Sequence, residues 1–152
     1  MKKNFLFFTF ILLFLQNCGF APIYTESKNE DFKFNIIEIS GDIDMNNLVN
    51  INIKKYSNKI STNTINLKID TNYKKNIISK NKAGEATSYL IVTGITFQVI
   101  DLEKPNIFTF KDETKLSNIN NKFELRNYEN SIKNNFISSA IEKLILKIPK
   151  NK

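Results

Sequence analysis

Between residues 64 and 148 the apolar residues of this chain change period once, and that change dictates the kind of fold available. Ile65, Leu67 and Ile69 alternate strictly with Asn66, Lys68 and Asp70, and Thr71 and Tyr73 keep the parity. Residues 86–100 alternate for longer, with Tyr89, Ile91, Thr93, Ile95, Phe97 and Val99 on one side and Leu90, Val92, Gly94 and Ile100 on the other. A period of two belongs to a strand, whose successive side chains point to opposite faces. From Leu125 the spacing becomes three to four. Leu125, Tyr128, Ile132, Phe136, Ala140, Leu144 and Ile148 recur, and Ile137, Ile141 and Ile145 widen the stripe. This predicts a long amphipathic helix from Glu124 to Ile148, stopped by Pro149. Strands followed by such a helix point to an α+β two-layer domain, one face of a sheet under helices.

The remaining segments fill in that plan. Phe32, Phe34 and Ile36 alternate, then Ile37 and Ile39 take the other parity, which predicts a strand with a bulge or a change of face near Ile36–Ile37. Ser40-Gly41-Asp42 breaks it. In residues 45–58, Leu48, Ile51 or Asn52, Lys55 and Tyr56 fall near helical spacing, with Asp44 as a cap. The asparagine-rich composition disfavours that short first helix. Residues 74–82 read as a basic, polar loop closed by the turn Ala83-Gly84-Glu85. A turn with Pro105 precedes a strand around Phe108-Thr109-Phe110. The strands at 65–73, 86–100 and 107–116 make an antiparallel meander. The apolar residues on the second face of 86–100 suggest that this face is covered in part. The domain spans 32–149, with a short tail at 150–152. The helical stripe is read as core, because Glu129 and Glu142 among the lysines give the other face mixed charge, unlike a lipid-binding helix.

Ahead of the domain, Lys2 and Lys3 precede an apolar run from Phe5 to Leu15 broken only by Thr9. This is the pattern of a secretory signal peptide, residues 1–17. It is shorter than the ~20 apolar residues of a membrane span. Cys18, at its end, is the sole cysteine of the chain, so an internal disulfide is excluded. Leu15-Gln16-Asn17-Cys18 resembles the lipobox of bacterial lipoproteins, with Gln16 and Asn17 where small residues are usual. The resemblance implies lipidation of Cys18; the alternative is a free thiol behind an ordinary cleavage site. Each buried CH₂ contributes ~0.8 kcal/mol, so two or more acyl chains anchor stably.

Residues 18–31 then form an extended, lipid-anchored segment, in which Pro22 fixes its own φ and biases Ala21 towards an extended backbone. Phe20, Ile23 and Tyr24 supply apolar area for contact with a partner or with the domain itself. Cys18-Gly19-Phe20-Ala21-Pro22-Ile23-Tyr24 resembles the mature start of the LptE family, lipoproteins of outer-membrane lipopolysaccharide (LPS) assembly. The resemblance implies a four-stranded, mainly antiparallel sheet with two helices packed on one face. It implies a location on the periplasmic side of the outer membrane, to which Gly19, in place of the aspartate common in inner-membrane lipoproteins, also points. It further implies an LptD-type β-barrel as partner, plugged and helped to assemble, and assistance to LPS insertion. Phe20, Pro22 and Tyr24 become candidate partner contacts.

The chain has no histidine, which removes His-containing zinc sites and Ser-His-Asp or Cys-His catalysis. No Gly-rich phosphate loop or nucleophile elbow is present, and the acidic residues are scattered. The expectation is a protein that is not an enzyme, with no cofactor and no metal. The net charge is +7, and +5 once Lys2 and Lys3 leave with the signal peptide. A basic chain suggests nucleic acid, a partner that export removes. LPS phosphates are another anionic partner. Lys74, Lys75, Lys80 and Lys82, in and beside the predicted loop, are the LPS-binding candidates, against the plainer reading of a solvated lysine-rich loop. The other functional reading is an envelope lipoprotein that docks on a different complex.

Overall fold

The computed structural model describes residues 32–57, 60–100 and 105–148. Its elements are β1 (Lys33–Gly41), α1 (Ile43–Ile53), β2 (Thr64–Lys80), β3 (Ala86–Val99), β4 (Asn106–Ser117) and α2 (Lys122–Lys147). The four strands form one open sheet in sequence order, β1-β2-β3-β4. β2, β3 and β4 are antiparallel neighbours, as the meander predicted. β1 pairs with β2 in parallel, because a parallel pair needs a crossover of about a dozen residues or more and α1 lies in that connection. Both helices contribute to one core, so the architecture is α+β, a mixed sheet with two helices. Residues 1–31 and 149–152, with the signal peptide, Cys18, Phe20, Pro22, Tyr24 and Pro149, lie outside the described residues.

Local chemistry explains each element. The β1 register shifts between Ile36 and Glu38, so Ile37 is the extra residue of the expected bulge. Gly41 ends the strand at φ +98, where an added Cβ would stand 1.8 Å from the Thr71 carbonyl oxygen. Only glycine fits both the backbone and the space. The cap of α1 is Asp42, not Asp44: the Asp42 carboxylate accepts from the Met45 amide at 2.9 Å. Asp44 sits instead in the first turn, where a negative charge also suits the helix dipole. Asn52 turns inward and is fully buried, while Ile51 is exposed. The Asn52 amide donates to the Leu48 carbonyl at 2.9 Å and to Asn134 at 2.8 Å, and its oxygen accepts from Lys55 and Ser138. Those bonds make a buried asparagine tolerable in a helix that composition disfavours.

β2 is longer than its alternation suggested. Residues 74–80, expected as a loop, continue the strand against β3, and the turn is confined to 81–85. There the Asn81 side chain accepts from the Ala83 and Glu85 amides. The core lies at the opposite end of the hairpin. It joins Ile65, Leu67 and Ile69 of β2, Ile95, Phe97 and Val99 of β3, Met45 and Val49 of α1, and residues 136–145 of α2. The predicted helical stripe therefore holds for the second half of α2 and fades in its first turns, where Tyr128 is exposed and Leu125 only half-buried.

Candidate functional site

The lysine group expected as one loop is divided by strand pleating. Lys74 and Lys75 are adjacent in β2 and point to opposite faces. Lys75 lies on the helix side: it forms an ion pair with Glu129 of α2 and stands 4.2 Å from the Tyr89 ring centroid. Tyr73, on the same face, donates its hydroxyl to Glu129 at 2.9 Å. Burial first, then that bond and the negative charge of Glu129, hold the Tyr73 phenol above its ordinary pKa. The buried Lys133 stacks 4.1 Å from the Tyr73 ring centroid and meets Asp44 of α1 at 3.0 Å. Lys75 thus belongs to a network tying β2, α1 and α2 together, and is a poor candidate for an external anion. Lys80 ends β2 and Lys82 lies in the turn, both exposed. Lys74 faces the other side of the sheet.

That other side is the larger surface feature. Among the described residues no helix or further strand covers it, and its apolar residues Leu90, Val92 and Ile100 are half-buried, so it is covered in part, as expected, without a second layer. In the register Leu90 stands between Asn76 and Lys115, and Val92 between Lys74 and Glu113. Polar ladders run across it. Asn35 bonds Asn66 at 2.8 Å, Glu38 meets Lys68 at 2.9 Å, Ser40 bonds Asp70 at 2.7 Å, and Thr96 meets Thr109 at 3.1 Å. In mid-strand Gly94 pairs with Asn72 and Lys111 and leaves a hollow of about 330 Å³ bordered by Asp70, Asn72, Lys74, Thr96, Thr109 and Lys111. Lysines and carboxylates are interspersed, with Leu90, Val92 and the exposed Ile107 among them, so the face is mainly hydrophilic and mixed in charge. Parity carried this signal: Lys74 and Lys111 share the face of Gly94.

A second concavity, about 630 Å³, opens between β4 and α2. Phe110, Ile132, Phe136 and Ala140 form its apolar floor, and Lys111, Asp112, Asn135 and Lys143 its polar border. It is the space left between α2 and β4, the outer strand of the sheet. Sequence reading missed it, since it arises from the packing offset of two elements. Among the described residues no group of three or more Asp, Glu, His or Cys could hold a metal, and no helix is long and apolar enough to cross a membrane.

No protein-family model and no curated protein sequence matches the chain. Solved structures do. The rare lipoprotein B from Shewanella oneidensis aligns with a TM-score of 0.51 at 10% identity, over 72% of this chain and 93% of that one. A lipoprotein B from Nitrosomonas europaea gives 0.48 at 12% identity, over 76% and 83%. A minor lipoprotein from Acinetobacter baumannii gives 0.49 at 10%, over 72% and 92%. At such identity the first of these likenesses defines a shared fold, an open four-stranded sheet with two helices.

Proposed function

We propose that this protein is a non-enzymatic lipoprotein subunit of the outer-membrane LPS translocon, anchored through Cys18 on the periplasmic side and seated in an LptD-type β-barrel. The observation that carries this reading is the mainly hydrophilic sheet face that no helix covers. A sheet face left bare by its own helices and covered with asparagine, threonine and paired charges suits a water-filled lumen, whose inward-facing wall is polar. The order of elements expected from the resemblance at residues 18–24, and a fold shared with a protein named as a lipoprotein, support the same reading. In this role the domain would help the barrel assemble, occlude its lumen, and offer Lys74, Lys80 and Lys82 to LPS phosphates by charge-assisted hydrogen bonds.

The test is purification of a C-terminally tagged chain from outer membranes in mild detergent, with mass spectrometry of what co-elutes. A stoichiometric large β-barrel, absent from a control lipoprotein, is the expected result. Recovery with an unrelated complex would establish the reading of a docking factor elsewhere in the envelope.

A further inference from the structure

The β4–α2 cleft lies beside an open strand edge. β4 pairs with β3 through twelve residues without a register shift, and among the described residues no strand pairs with its outer side. A long, regular, unpaired edge is a template for another strand. The other sheet edge, β1, is interrupted by its bulge. An extended segment added beside β4 would lay every second side chain over the apolar floor of Phe110, Ile132 and Phe136.

The chain carries a segment with that pattern. Phe20, Pro22 and Tyr24 are spaced by two, so in an extended backbone they share one face. Pro22 has no N–H, which confines it to positions of a strand that make no ladder bond to the neighbour. In an antiparallel pair those positions bring side chains closest. Phe20 and Tyr24, of the same parity, would join Pro22 there, while Gly19, Ala21 and Ile23 exchange the hydrogen bonds.

Reach and direction also fit. β1 and β4 both begin at the same end of the sheet, by the registers Lys33↔Thr64, Leu67↔Val99 and Val99↔Asn106. Passing from β1 to a position outside β4 crosses about four strand spacings, ~19 Å. Residues 25–31 can span roughly 23 Å when extended. Residues 19–24 would then run antiparallel to β4.

We propose that residues 19–24 of this chain dock on its own β4 as a fifth, antiparallel strand, with Phe20, Pro22 and Tyr24 over the floor of the β4–α2 cleft. The proposal stands apart from the translocon reading and is tested on the full mature chain alone, in detergent.

Tyr24→Cys is combined in turn with Phe108→Cys, Phe110→Cys or Asp112→Cys on β4, and with Asn35→Cys on β1. Each chain is oxidised and its disulfides are mapped by peptide mass spectrometry, with the parent chain as the control for Cys18. One β4 pair should cross-link within a single molecule. Cross-linking to β1 only, between molecules only, or not at all would overturn the proposal. As a check independent of cysteines, hydrogen exchange is compared between the parent and a Phe20→Ser, Tyr24→Ser chain. Alternate amides of residues 108–114 should exchange roughly tenfold faster in the variant, with the core unchanged. Equal exchange, or protection of β4 that arises only when a barrel protein is added, would refute it.

Discussion

At the scale of single residues, two glycines with positive φ give opposite expectations. Gly41 and Gly84 both occupy the left-handed side of the map, but a Cβ on Gly41 would collide with the Thr71 carbonyl while one on Gly84 meets nothing within 4 Å. Gly84→Ala should cost about 1 kcal/mol, from the backbone alone. Gly41→Ala should cost roughly 3 kcal/mol or more, because β2 must move. Thermal melts of the two variants separate the cases. Tyr73 supplies a pH dependence. Its phenol is held above the ordinary value of about 10, so the unfolded chain releases this proton before the folded chain does. The stabilising contribution is complete below pH ~10 and is lost as pH rises beyond it. Tyr73→Phe should begin about 1 kcal/mol less stable, through the lost bond to Glu129, yet fall less steeply in urea midpoint between about pH 9 and pH 11.5.

At the scale of elements, pleating assigns different roles to adjacent lysines. Lys75→Ala removes an ion pair and a cation–π contact on the half-buried side of the sheet, and should lower stability by about 1 kcal/mol. Lys74→Ala should leave the melting temperature within error and, on the proposed function, weaken LPS binding measured on the isolated domain. This contrast was within reach of the sequence. The parity of Ile65 to Tyr73 runs on unbroken to Lys75, but the lysines and asparagines of 74–80 look like solvated loop, and their strand pairing depends on β3. The strands of the meander, the bulge at Ile37 and the long last helix were legible because apolar periodicity carries them. The Asp42 cap was not, since two aspartates stand two residues apart and only the backbone shows which one precedes the helix. Asn52 was left open against Ile51 for a similar reason: its partners lie on another helix, 82 and 86 residues away. The β4–α2 cleft has no sequence signal at all, being the consequence of where one helix crosses a sheet.

At the scale of the whole molecule, the Asn52 network joins the two helices, and so adds a second tie, beside the β2–β3 pairing, between the half of β1, β2 and α1 and the half of β3, β4 and α2. Asn52→Ala would leave the Asn134, Ser138 and Lys55 groups without their buried partner and open space at a fully buried position. The expected loss is about 2–3 kcal/mol, read from a chemical denaturation curve that stays cooperative. A curve that splits into two transitions would mean that the halves unfold separately.

The hairpin of β2 and β3 sets a length as well as a register. A strand of seventeen residues measures about 50 Å once twist is allowed for, whereas the apolar band of an outer-membrane barrel is ~25 Å tall. A domain of this length is about twice as tall as that band. If its core end lay level with the band, the turn at 81–85 with Lys82 would stand beyond it, at a height where the surroundings are water and headgroups.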